Sequence, residues 1–145
     1  MVFPEGARGG GKTWWKRYQL QRFGTGFMRL ALETDTPIIP TAVIGAEDTY
    51  PSLYDFKALS SLLGTPYFPI YPQMLLGPLM GLPLPAQIDL HFGEPLRFDQ
   101  GPDATDQEVL ANVDVVKNAI SSLIDTGLSS RRPRVDIQRR ISALM

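Results

Sequence analysis

The chain of 145 residues is one domain's worth of sequence, and its 43% hydrophobic and 20% charged residues are typical of globular rather than disordered proteins. It has no cysteine and a single histidine, His91, which excludes disulfides, thiolate metal sites and Cys/His nucleophile pairs. The net charge of -1 combines two basic ends with an acidic middle, a distribution that suits a phosphate ligand or an anionic membrane surface and argues against coating nucleic acid.

The first stretch, "VFPEGARGGGKTWW", fits two phosphate-handling patterns. Residues 6–13 read G-x-x-x-x-G-K-T, the nucleotide-binding P-loop pattern, in which Lys12 would reach phosphates and Thr13 would bind magnesium. The context disfavours this reading, because Glu5 would repel a triphosphate and no apolar strand ending in Asp follows to hold the metal. A P-loop nucleotide-binding module is therefore kept as an alternative.

The next elements are predicted to be a helix followed by a strand. Residues 1–3 are predicted to end a strand, which leads us to expect that a longer chain precedes them. Residues 25–33 are predicted to form a helix with Phe27, Leu30 and Ala31 on one face, and Pro37 ends it. "PIIPTAVIG" predicts a short buried strand of the parallel kind.

Residues 58–88 contain no charged residue, but six prolines and three glycines interrupt them. Such breaks would leave backbone groups unsatisfied in lipid, so a membrane-spanning helix is excluded. The segment is predicted to be an apolar loop that either packs on the core or lies against a membrane face.

The last third of the chain predicts a strand and a long helix. "IDLHF" alternates apolar residues with Asp89 and His91, as a strand with one wet face does. Thr105 and Glu108 form a capping box that starts a helix, and Gly127 is its expected C-cap. The buried stripe of that helix is predicted to be Val109, Val113, Val116, Ile120 and Leu123. Residues 128–145 form a basic tail.

The second pattern of the first stretch, F-P-E-G-A-R at residues 3–8, resembles a motif of the lysophosphatidic acid acyltransferase family, the phospholipid/glycerol acyltransferases. "RFGTGFMRLAL", "TPIIPTAVIG" and "HFGEPL" resemble later parts of that family in the same order. The resemblance covers about the first hundred residues. It implies an α/β fold with a mixed or parallel sheet flanked by helices, residues 1–127 being the C-terminal half of the acyltransferase domain.

The resemblance also implies a function. Members transfer a fatty acyl group from acyl-CoA or acyl carrier protein to a glycerolipid hydroxyl at the membrane surface, with no metal and no further cofactor. Glu5, Gly6 and Arg8 would help form the site for a lysophospholipid or glyceride acceptor. A guanidinium such as that of Arg8 suits bidentate contact with phosphate. We expect a cytoplasmic protein peripheral to the membrane, without nucleic-acid partners.

Three departures from the family pattern matter. Ala7 replaces the usual Thr, and Gly24 and Thr25 replace lysines, which leaves the acceptor headgroup open. The catalytic His-x-x-x-x-Asp pair is missing, because His91 is followed at that spacing by Leu96. His91 is predicted to be structural or exposed. We therefore expect the pair to be encoded upstream of Met1 or lost, and the isolated chain to be inactive, with a non-catalytic lipid-surface fragment as a further alternative.

Overall fold

In the computed structural model the described residues are 1–6, 9, 12–65, 68–74, 77 and 82–131, and for residues 57–59 only the backbone is described. They form a mixed α/β structure with small antiparallel sheets. The helices are α1 (Gly26–Glu33), α2 (Lys57–Leu63) and α3 (Asp106–Ser130), and the strands are β1 (Thr41–Ile44), β2 (Tyr54–Asp55), β3 (Pro69–Ile70) and β4 (Asp89–Phe92). Short 3-10 turns lie at Trp14–Lys16 and Ala46–Asp48.

Helix α3 begins as the capping box predicts. The Thr105 hydroxyl accepts a hydrogen bond from the Glu108 amide at 3.3 Å, and the Glu108 carboxylate accepts one from the Thr105 amide at 2.8 Å. These bonds hold the pKa of the exposed Glu108 carboxyl below its usual value. The prediction that Gly127 ends the helix is wrong, since α3 continues through Ser130 and Gly127 is buried inside it.

Gly127 is buried because α3 passes very close to the sheet there. A Cβ at this position would lie 2.8 Å from Cγ1 of Ile44 and 2.9 Å from the imidazole of His91. Such distances are shorter than van der Waals contact, so the glycine permits the close approach of helix and sheet. The residue is therefore a packing glycine rather than a helix terminator.

Helix α1 lies where the sequence predicts it, but it buries a different face. Met28 and Leu32 are buried, and they are one turn apart along the helix. They join Phe23 in one core cluster with α3, whose contributing residues are Val109, Val113 and Val116. Of the residues predicted to share one face, Phe27 packs against this cluster, whereas Leu30 is 55% exposed.

The sheet of β1 and β4 corrects two expectations. The strands are antiparallel, with Ala42 opposite His91 and Val43 opposite Leu90, so the predicted parallel strand is wrong. Only one face of β1 is buried, where Ala42 and Ile44 pack against Ile124 of α3. In β4 apolar and polar residues alternate as predicted. It is the apolar residues that face solvent, however, since Leu90 and Phe92 are 58% and 67% exposed.

The remaining expectations concern loops. Residues 1–3 are exposed and outside any strand, contrary to the predicted strand end. The segment 58–88 is not simply a loop, since it contains most of α2 and all of β3, which pairs antiparallel with β2. Within the described part of the chain, no helix has the length and apolar character needed to cross a bilayer.

Candidate functional site

An open groove of about 650 Å³ lies between the first residues of the chain and the start of α1. We call it the N-terminal groove. Its lining residues are Val2, Phe3, Pro4, Glu5, Gly6, Gly24, Gly26, Phe27 and Leu30. The F-P-E-G residues of one candidate motif thus meet the glycine-rich start of the helix that follows it in the sequence.

Backbone hydrogen bonds build this arrangement. The Gly6 amide donates to the Phe3 carbonyl at 3.0 Å, which closes a tight turn. The Gly24 amide donates to the Pro4 carbonyl at 2.9 Å, which ties the turn to the residues just before α1. Gly6 has a φ of 57° and no atom within 4 Å of the position of a Cβ. A glycine suits this left-handed turn.

Glu5 lines the groove, but its carboxylate is used within the protein. Oε1 accepts a hydrogen bond from the Gln21 amide at 2.8 Å, and Oε2 lies 3.4 Å from the Lys12 ammonium. The Glu5 side chain is 14% exposed. Of the predicted acceptor residues, Glu5 therefore fixes the shape of the loop, and Gly6 forms part of the groove wall. Arg8 and the neighbouring Ala7 lie outside the described residues.

The Lys12 ammonium also has protein partners. Besides Glu5 it lies 3.2 Å from a carboxylate oxygen of Glu47, and it donates to the Gln19 carbonyl at 3.2 Å. A P-loop lysine must instead direct its ammonium at phosphate. The observed contacts of Lys12 give that alternative no support.

His91 does not line the N-terminal groove. It faces α3 from β4, half-buried against Gly127. Leu96, at the spacing of the missing Asp, pairs with Ile38 in an antiparallel bridge. The structural role predicted for His91 agrees with this packing. No group of His, Asp and Glu among the described residues could hold a metal ion.

A polar cluster at the end of α3 was missed in the sequence. The Arg131 guanidinium donates to Asp48 at 2.8 Å, to the Gln87 carbonyl at 2.8 Å and to the Tyr18 hydroxyl at 3.2 Å. Burial lowers the pKa of Arg131, but the hydrogen bonds and charges of Asp48 and Tyr18 outweigh it and raise the pKa above its usual value. Arg131 is thus anchored to the fold and is not a free cation of the basic tail.

Comparisons with known proteins give relatives without an assigned activity. An uncharacterized protein of Mycobacterium tuberculosis is 44% identical over 136 residues, which cover 90% of this chain and 38% of the relative. An uncharacterized protein of Mycobacterium leprae is 42% identical over 136 residues and is covered to 37%. The chain thus spans less than two fifths of the length of the curated relatives it matches. No protein-family model matches the chain. No solved structure matches it either.

Proposed function

We propose that this chain carries the acceptor-binding part of an acyltransferase that moves a fatty acyl group from acyl-CoA or acyl carrier protein to a glycerolipid hydroxyl. The observation that supports the proposal is the N-terminal groove, in which Phe3, Pro4 and Gly6 of the motif meet Phe27 and Leu30 of α1. Separate parts of the sequence that resemble one family thereby line a single groove. The P-loop alternative does not account for the presence of α1 residues in this groove.

The groove has the chemistry of a lipid-binding surface. Its walls include exposed apolar side chains, Val2, Phe3 and Leu30, which would cover part of an acyl chain. Arg8 follows the groove residues in sequence, and its guanidinium would bind the phosphate of the acceptor as a bidentate fork. Binding in this way would hold the acceptor hydroxyl in a fixed orientation, which lowers the entropic part of the barrier.

The chemical step needs a group that this chain does not supply. The acceptor hydroxyl oxygen forms a bond to the thioester carbonyl carbon, a base takes the hydroxyl proton, and the carbon to sulfur bond breaks with release of the thiol. In the family that the chain resembles, a His and an Asp do this, and His91 is half-buried against Gly127 instead. The complete reaction is therefore proposed for a longer polypeptide.

The exposed face of the β1 and β4 sheet also supports the proposal that a longer polypeptide completes the reaction. Val43, Leu90 and Phe92 form an apolar surface on the side away from α3. Two-stranded sheets are at best marginally stable without further cover. More than half of each mycobacterial relative lies outside the region matched by this chain. We propose that such additional polypeptide packs on this face and brings the catalytic pair to the groove.

The proposal predicts acceptor binding without turnover. The chain should bind a short-chain lysophosphatidic acid, as measured by calorimetry, and should release no thiol from acyl-CoA. Arg8→Ala should weaken binding about tenfold or more, because a charge-assisted contact contributes roughly 1.5 to 3 kcal/mol. Leu30→Asn should weaken binding by a smaller factor, since Leu30 supplies apolar wall surface.

The matched control is Leu62→Asn, an equally polar change at an exposed leucine of α2 outside the groove. It should leave the affinity unchanged. If Arg8→Ala and Leu30→Asn bind the lipid as tightly as the parent chain, the groove is not the acceptor site. Binding of Mg-ATP that depends on magnesium and is lost in Lys12→Ala would favour the P-loop alternative instead.

A further inference from the structure

A second, smaller pocket lies beside the Trp14–Lys16 turn and shares no lining residue with the N-terminal groove. We call it the aromatic pocket. It has a volume of about 230 Å³, and the side chains that give it its character are Lys12, Trp14, Arg17, Glu47, Tyr50 and Tyr71. Three aromatic rings and an arginine thus line a small, half-open depression.

Arg17 is the charged group that this pocket leaves available. Its guanidinium carbon lies 3.9 Å from the centroid of the Trp14 ring, a cation–π contact that orders the planar fork. Within the described part of the chain it has no carboxylate partner. An ordered guanidinium without a carboxylate is suited to a phosphate, because its donors match two phosphate oxygens at once.

The other charges around the pocket have partners within the protein. The Lys12 ammonium is shared by Glu5 and Glu47. The second oxygen of Glu47 accepts a hydrogen bond from the Tyr18 amide at 2.9 Å. Arg17 balances the negative charge that one ammonium leaves on two carboxylates, so the preference for a phosphate rests on its guanidinium fork and not on a positive net charge of the pocket.

The aromatic walls are held in place by contacts among the lining residues. The Trp14 amide donates to the Ser52 carbonyl at 2.6 Å, which joins the turn to the segment before β2. Tyr50 and Tyr71 meet edge to face, with centroids 5.5 Å apart.

We infer that the aromatic pocket binds a small organic phosphate, with Arg17 on the phosphate and the rings of Trp14, Tyr50 and Tyr71 around a flat or apolar body. A free inorganic phosphate would leave the aromatic walls unused. A neutral ring would leave Arg17 unused. The inference does not rest on the acyltransferase proposal, because the residues of the pocket and of the groove are different.

Trp14 makes a direct test possible. The chain has two tryptophans, and Trp15 is exposed and does not line the pocket. In a Trp15→Phe background, Trp14 is the only indole and reports on the pocket by its fluorescence. Titration with phenyl phosphate should give a saturable change in emission. Phenol and inorganic phosphate should each bind at least about tenfold more weakly, since each lacks one half of the recognised ligand.

Variants in the same background distinguish the bidentate contact of the Arg17 guanidinium from a general effect of positive charge. Arg17→Gln should weaken phenyl phosphate binding about tenfold, and Arg17→Lys should give an intermediate affinity because it keeps the charge without the fork. Lys16→Gln is the matched control, since Lys16 is an exposed cation of the same turn outside the pocket. It should change the affinity by less than about twofold.

Three results would overturn the inference. They are the absence of a saturable signal up to ~10 mM phenyl phosphate, equal affinity in Arg17→Gln and its parent, and equal affinity for inorganic and phenyl phosphate. Leu30→Asn separates this inference from the proposed function, because it changes only the N-terminal groove. Phenyl phosphate binding should persist in that variant even if lysophosphatidic acid binding proves absent.

Discussion

The two faces of the β1 and β4 sheet have different surroundings although the same two strands form both. On one face, Ala42 and Ile44 pack against Ile124 of α3. On the other face, Val43, Leu90 and Phe92 are exposed. Side-chain polarity does not account for the difference, since β4 directs Asp89 and His91 towards the helix and its apolar residues away from it. The buried face is the one that α3 covers. Gly127 allows the helix to approach that face closely.

The largest effect that tests this comparison is expected at Ile44. It is fully buried, so Ile44→Ala removes apolar contacts and leaves a cavity, at a cost of about 3 kcal/mol. Val43→Ala is the matched control on the opposite face of the same strand and should cost less than about 1 kcal/mol. Urea denaturation measures both. Equal losses for the two variants would mean that the faces are not energetically distinct.

A smaller effect is expected at the start of α3, which supplies the cover of the inner face. Thr105→Ala removes the side-chain cap and should cost about 1 kcal/mol of unfolding free energy. Thermal unfolding followed by circular dichroism measures the change. Thr126→Ala is the control within the same helix, because its hydroxyl bonds only to the Ser122 carbonyl behind it. A cost at Thr126 as large as at Thr105 would contradict the capping role.

The same capping box predicts a pH dependence. The pKa of Glu108 is lowered in the folded state by its hydrogen bonds to Thr105, so its stabilising contribution is present above the ordinary glutamate pKa of about 4.3. That contribution is lost as the pH falls through the lower, folded-state pKa. Glu108→Gln should therefore lower the Tm at neutral pH. The two proteins should converge in acid, and a difference independent of pH would exclude the carboxylate as the cause.

The smallest effect on stability is expected on the outer face. Leu90→Thr introduces a β-branched side chain suited to a strand and removes exposed apolar surface, so the unfolding free energy should change by less than about 0.5 kcal/mol. Binding of a hydrophobic dye should fall in the same variant. A loss comparable to that of Ile44→Ala would show that Leu90 is covered in solution and would remove the contrast between the faces.

The sequence predicted the candidate site only in part. The helix at α1 was predicted correctly, and its meeting with the F-P-E-G residues in one groove depends on the Gly24 to Pro4 hydrogen bond. The Glu5 carboxylate, predicted to help form the acceptor site, accepts a hydrogen bond from the Gln21 amide. No local signal in the sequence gives that contact, because its partners are 16 residues apart.

The sequence by itself determined the elements whose causes are local. Thr105 and Glu108 start α3 through contacts across three residues, and the 3.6-residue period of Val109, Val113 and Val116 fixes its buried stripe. The tertiary structure alone decided the pairing direction of β1, the face of β4 that is buried and the continuation of α3 past Gly127. Alternation in a strand defines two faces without saying which meets a helix. That choice depends on distant partners, here Ile44 and His91 packed against Gly127.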